Sequence, residues 1–146
     1  MRIKDILFGT AITSSPAGDL GLLVLRVFTA VALAVNHGFM KMPPSEGFIA
    51  RVARMGFPAP DLFAWLSGLA EVVGSLLLAL GLVTRPVAFV IVINMAVVSF
   101  MASAGDDFGE REKPLLFMAV ALLYVLLGAG RYSLDAVIRR TPPRGL

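Results

Sequence analysis

Four side chains stand out because their types could do chemistry and each lies inside a long apolar run: Arg26, His37, Glu71 and Asn94. A charge at bilayer depth costs roughly 2.5–3.5 kcal/mol on insertion scales, so it is normally turned inward and given a partner. The arginine offers a planar fork of donors, and the histidine a group that both takes and gives protons. The carboxylate is a proton site, and the amide donates and accepts. Together they could hold a polar ligand head or pass a proton. Lys41, Ser67, Ser75 and Tyr124 are secondary candidates, a further cation and three hydroxyls close to the same positions. There is no cysteine, and His37 is the only histidine. Thiol redox, iron–sulfur ligation, bis-histidine haem and any metal site built on several Cys or His are therefore excluded for the chain alone. No intrinsic cofactor is expected.

The elements that position these residues are read from hydropathy. The chain has 146 residues, 58% hydrophobic and 16% charged, with a mean hydropathy of +0.84. Soluble domains are about half apolar and a quarter charged. Four runs, 20–40, 62–82, 86–104 and 114–130, reach or approach the about 20 residues that a span requires. The expected fold class is all-α: a transmembrane antiparallel four-helix bundle forming one membrane domain over 1–146. The segment 41–61 is too polar to span, yet Phe48, Ile49, Val52 and Met55 recur at helical spacing with Arg51 and Arg54 opposite. This predicts a short interfacial helix between helices one and two, with Asp61 as the N-cap of helix two.

The link 83–85 is so short that helix three must return beside helix two, and Pro86 suits its first turn. The acidic and basic segment 105–113 reads as an exposed turn, and helix four, opened by Pro114, as an apolar wall. The first nineteen residues read as a short interfacial helix followed by a turn at 14–18. A cleaved signal peptide is the rival reading, but Arg26 interrupts its apolar stretch and the run continues past any small-residue cleavage site.

The net charge is +3 and the pI is near 9.8. The basic residues sit at span ends, where lipid headgroups and topology account for them, and no nucleic-acid partner is implied. Arg2, Lys4, Arg85, Arg131, Arg139, Arg140 and Arg144 fall on the side of the termini, against Lys41, Arg51, Arg54, Arg111 and Lys113 opposite. That seven-to-five bias predicts cytoplasmic termini in a bacterial inner membrane.

On a helix the face of Glu71 carries Ala64, Ser67, Gly68, Gly74, Ser75 and Leu78, small residues that let neighbouring backbones approach. With all spans started from one face, Arg26 lies about 9 Å deep, Asn94 about 12 Å, Glu71 about 16 Å and His37 about 25 Å. The expectation is a polar seam in which Glu71 reaches Arg26 on one side or His37 on the other. A structural pair would fix helix register, and Asn94 would add an interhelical hydrogen bond worth about 0.6 kcal/mol. A functional seam would line a proton, ion or ligand path.

Three segments resemble the DoxX family of small four-helix bacterial membrane proteins. LRVFTAVALAVNHGFMK carries the family's arginine, Arg26, and its His-Gly-x-x-Lys ending at His37, Gly38 and Lys41. LSGLAEVVGSLLLALGLVTRPVA carries its Gly-x-x-Glu helix and Gly-x-x-Thr-Arg hairpin, and LGAGRYSLDAVI its Gly-Arg-Tyr-Ser-Leu-Asp close. Gly56-Phe57-Pro58 is similar to the family's Gly-x-Pro step. The resemblance implies an accessory subunit of a redox complex, with a quinone as its ligand and a partner subunit supplying the redox chemistry. His37 and Arg26 would then hydrogen-bond quinone carbonyls and Glu71 would exchange the proton. The other class of function left open is a non-enzymatic binder or transporter of a lipophilic or small solute, or a structural partner of another protein. The bilayer is the first partner in either case, and a second copy of the chain another. Whether the chain is an enzyme is not decided by these residues.

Overall fold

The computed structural model describes residue 9 and residues 15–140, which form six α-helices and no strand. The interfacial helix expected near the N-terminus lies outside the described residues. We label the helices α1 (Pro16–Leu33), α2 (Glu46–Arg54), α3 (Pro60–Leu80), α4 (Thr84–Val97), α5 (Phe108–Leu127) and α6 (Leu134–Arg140). Helix α1 runs on through a wide π-turn (Ala34–Gly38) and a 3-10 turn (Phe39–Lys41), and α4 through a second π-turn (Val98–Ala102). With these extensions, Pro16–Lys41, Pro60–Leu80 and Thr84–Ala102 are long and apolar enough to cross a membrane.

Local chemistry sets the boundaries. Ser15 caps α1 by accepting from Gly18 N, and Pro16 occupies its first turn, so the helix starts earlier than its apolar run. Helix α2 is capped by Ser45, has Glu46 in its first turn, and carries Arg51 and Arg54 in its last, each charge matching the helix dipole. Asp61 is not the cap of α3: Pro60 already occupies the first helical position, and Asp61 lies within the first turn. The stretch 108–113 is helical rather than a turn, and Pro114 sits inside α5. The apolar part of α5, 114–127, rises only about 21 Å, which is why α5 falls short of the spanning criterion.

Helix α1 packs on α3, α3 on α4, α4 on α5, and α2 on the start of α3. Their shared core is Ala30, Leu33, Leu78, Ala88, Ile91, Met95, Ala121 and Tyr124. Gly38 lies against α3, where an added Cβ would come within 2.8 Å of Val72 and 3.0 Å of the Glu71 backbone.

One end of the helix set is tied by the segment after α5. Arg26 donates to Ala129 O and, at 2.7 Å, to Tyr132 O. Asp135 accepts from Val83 N at 2.8 Å and Thr84 N at 2.9 Å, capping α4, while its own N–H donates to Gly81 O. Ser133 caps α6 by accepting from Ala136 N, and Arg85 donates to Leu126 O. These groups satisfy helix-terminal donors and acceptors that water would serve in a soluble protein.

Gly81 is required here twice over. It holds φ +66, and a Cβ would meet Ser133 at 2.6 Å and Arg26 at 2.7 Å. Gly81→Ala is expected to destabilise by about 2 kcal/mol or more. Thermal unfolding in detergent checks this, with Gly21→Ala, whose Cβ would meet nothing, as the neutral control.

Candidate functional site

At the opposite end from the Arg26 tie, α3, α4, the start of α5 and the roofing helix α2 line a half-open cavity of about 600 Å³. Helix α2 presents Phe48 and Val52 to it, and Met55 follows from its C-cap, at the three- and four-residue spacing of one face. Helix α3 contributes Phe63, Leu66, Ser67 and Ala70, and α4 Val90, Ile93, Asn94 and Val97. Both π-turns flank this end, and such turns are frequent where a helix is adapted to a site. Asn36 bonds back to Ala32 O and Ser99 to Met95 O, while Arg111 donates to Ser99 O. The carbonyls loosened by the wide turns thus keep donors.

Beside the cavity's inner end, Glu71 is 1% exposed. Its Oε1 accepts from Lys41 Nζ at 2.5 Å and from Asn94 Nδ2 at 2.9 Å. Three segments meet at this one oxygen. Lys41 also lies over the Phe48 ring at 5.5 Å, so it links the buried carboxylate to the roof helix. His37 lines the cavity and packs edge-on against Phe117, with ring centroids 5.5 Å apart.

The expected partner of Glu71 was Arg26 or His37, and the structure gives it neither. Arg26 lies against the Gly81 turn, ten residues and so about 15 Å along the helix axis from Glu71. The shared starting face was the error, because α1 begins before its apolar run and is displaced along α3. The same displacement brings His37 level with Glu71. Arg26 is therefore part of the structural tie, and its guanidinium serves the carbonyls that follow α5.

The secondary candidates divide in the same way. Lys41 is the charge partner of Glu71, and Ser67 lines the cavity. Tyr124 donates to Leu22 O at 2.7 Å in the core. Ser75 is buried on the Glu71 face of α3 and its hydroxyl makes no hydrogen bond. Sequence reasoning missed Asp135 as the cap of α4, and it missed that Phe48, Val52 and Met55 face a cavity. The helical spacing of these residues was the available signal: it predicts a surface-lying helix over 47–55 that covers the outer mouth of the bundle, but it seats the apolar row in the headgroup boundary. No group of three or more His, Cys, Asp or Glu able to hold a metal occurs among the described residues.

Replacing Lys41 with Met strands a buried carboxylate and is expected to cost about 3–5 kcal/mol. The Lys41→Met, Glu71→Leu double variant should recover most of this loss. Thermal melts of the two singles and the double in one detergent check it; a double no better than its singles would refute the pairing.

Comparison with known proteins finds membrane proteins among the relatives. The chain is 29% identical to the inner membrane protein YphA of Escherichia coli (strain K12) over 78% of its own length and 88% of the relative's. It is 30% identical to the uncharacterized membrane protein Rv3486 of Mycobacterium tuberculosis over 81% of each chain. It is 26% identical to the putative oxidoreductase CatD of Bacillus subtilis over 87% of its own length and 93% of the relative's. No solved structure matches it. The DoxX family model matches residues 21–104, and the chain is an integral membrane protein that belongs to the DoxX family.

Proposed function

We propose that the chain is a membrane subunit that binds a lipophilic ligand of the quinone type in the cavity beneath α2, as the accessory partner of a redox complex. The observation that carries this reading is the cavity itself. Its volume of about 600 Å³ suits a ring and the start of a tail, its walls are mostly apolar, and its few polar groups gather around His37, Lys41 and Asn94. The similarity to a putative oxidoreductase supports the redox role. With no redox-active side chain of its own, the chain would take electrons from, or give them to, a partner subunit. His37, Lys41 and Asn94 are the residues that would orient the ligand head, and Glu71 acts through Lys41 and Asn94. A solute path through the protein is disfavoured, because the core and the Arg26 tie fill the other end.

In this reading the chain is one membrane domain, a four-helix antiparallel bundle in which 114–127 completes the fourth crossing. Helix α2 lies in the outer headgroup layer, and both termini are cytoplasmic. Reporter fusions after residue 146 are expected to be active only in the cytoplasm, and periplasmic activity would reverse the orientation.

The functional test is extraction of lipids from the purified protein, together with equilibrium binding of a short-chain quinone. A quinone in the extract and saturable binding are expected. Ala70→Trp, which fills the cavity from α3, should weaken binding at least tenfold without unfolding the protein. Protein that carries phospholipid alone and binds no quinone would refute the proposal.

A further inference from the structure

A second, smaller chamber of about 50 Å³ lies at the inner end of the cavity, lined by His37, Lys41, Glu71, Met95 and Phe117 among others. His37 and Lys41 border both spaces. One water needs about 10–15 Å³ of such volume and two to four polar partners, and the chamber supplies both. Glu71 Oε1 already accepts from Lys41 and Asn94, but Oε2 is buried and accepts nothing. A buried carboxylate oxygen without a donor carries the desolvation cost with no return, so water is its natural occupant.

Resting on the cavity reading above, we propose that Glu71 is the internal proton acceptor for a lipophilic ligand with an acidic hydroxyl, of the phenol, quinol or hydroxyquinone class. His37 and chamber water carry the proton. The ligand's O–H bond breaks as one His37 ring nitrogen takes the proton, and the other ring nitrogen passes its own proton to water. Water delivers a proton to Glu71 Oε2. The products are a ligand oxyanion and a neutral Glu71 carboxylic acid; His37 ends neutral, and no electron moves.

Lys41 makes the exchange electrically cheap. It borders both spaces and can change its counter-ion from the Glu71 carboxylate to the ligand oxyanion, so the buried charge count is unchanged. The other groups that face the exchange are Asn94 from α4, Arg51 from α2, and Glu110 and Lys113 from α5. Arg51 and Lys113 against Glu110 add a positive bias at the rim that favours the oxyanion further. The Phe117 and Pro114 side of the chamber is apolar.

The test uses an alkylated 2-hydroxy-1,4-naphthoquinone, whose anion is coloured in the visible, at a pH where empty detergent micelles hold it neutral. Wild-type protein is expected to bind the probe in its anionic colour with no net proton release, measured by calorimetry in two buffers of different ionisation enthalpy. Glu71→Gln protein should bind it in the same colour and release a full proton per probe. His37→Phe should reach the wild-type end state roughly a hundredfold more slowly in stopped flow.

Equal proton release by wild type and Glu71→Gln, or a bound probe that stays neutral, would overturn the proposal, and an unchanged rate in His37→Phe would remove His37 from the route. If Glu71→Gln does not fold, the infrared difference spectrum of the wild type decides: binding must bring in the C=O band of a protonated carboxylic acid, and its absence overturns the proposal. Failure of the cavity reading looks different, since the probe then does not bind at all.

Discussion

A carboxylate buried in an apolar helix set has to be compensated, and Glu71 meets that constraint by drawing three segments to one oxygen. Lys41 arrives from the 3-10 turn after α1, Asn94 from α4, and Glu71 itself stands on α3. The close approach depends on the glycine row. Gly38 lets α1 lie against the Glu71 backbone, and Gly68 leaves room for Met42 next to Lys41. The charge pair and the small residues act as one device, because without the close approach the lysine would not reach.

The two ends of the molecule handle polar groups differently. At the Gly81 end, Arg26, Asp135, Ser133 and Arg85 bond backbone groups at helix termini, although Arg26 Nε and Arg85 Nε are left without partners. At the α2 end, polar groups surround empty volume, and Glu71 keeps a free oxygen beside a water-sized chamber. A polar group satisfied by backbone is stabilising the fold. A polar group bordering a cavity is available to a ligand, and the binding reading is attached to the α2 end because His37, Lys41 and Asn94 line the large cavity there.

Helix α2 connects the two ideas. Its apolar face was expected to serve the headgroup layer, yet Phe48, Val52 and Met55 roof the cavity, and Phe48 lies under the Lys41 ammonium. A ligand entering beneath α2 would therefore meet the group that neutralises Glu71. Occupancy, roof position and the buried charge pair share one residue.

The sequence by itself determined that the chain is helical, lies in a membrane, and must compensate a charge in mid-span. Apolar runs of span length, the mid-run Glu71 and the small residues on its face are local properties, and each is legible without knowing what packs where. The short hairpin at 83–85 belongs to the same class. Only the tertiary structure decided which charges meet. Arg26 lies in the first apolar run and Lys41 just past its end, and finding that Lys41 is the partner required the displacement of α1 along α3, which is set by packing at Gly38 and Gly81 rather than by any local signal. The role of Asp135 was hidden for the same reason, since it caps a helix that begins fifty-one residues earlier in the chain. Helical periodicity assigns a residue to a face, but the neighbour on that face is set by how helices slide and rotate against one another, and that depends on all of their surfaces together.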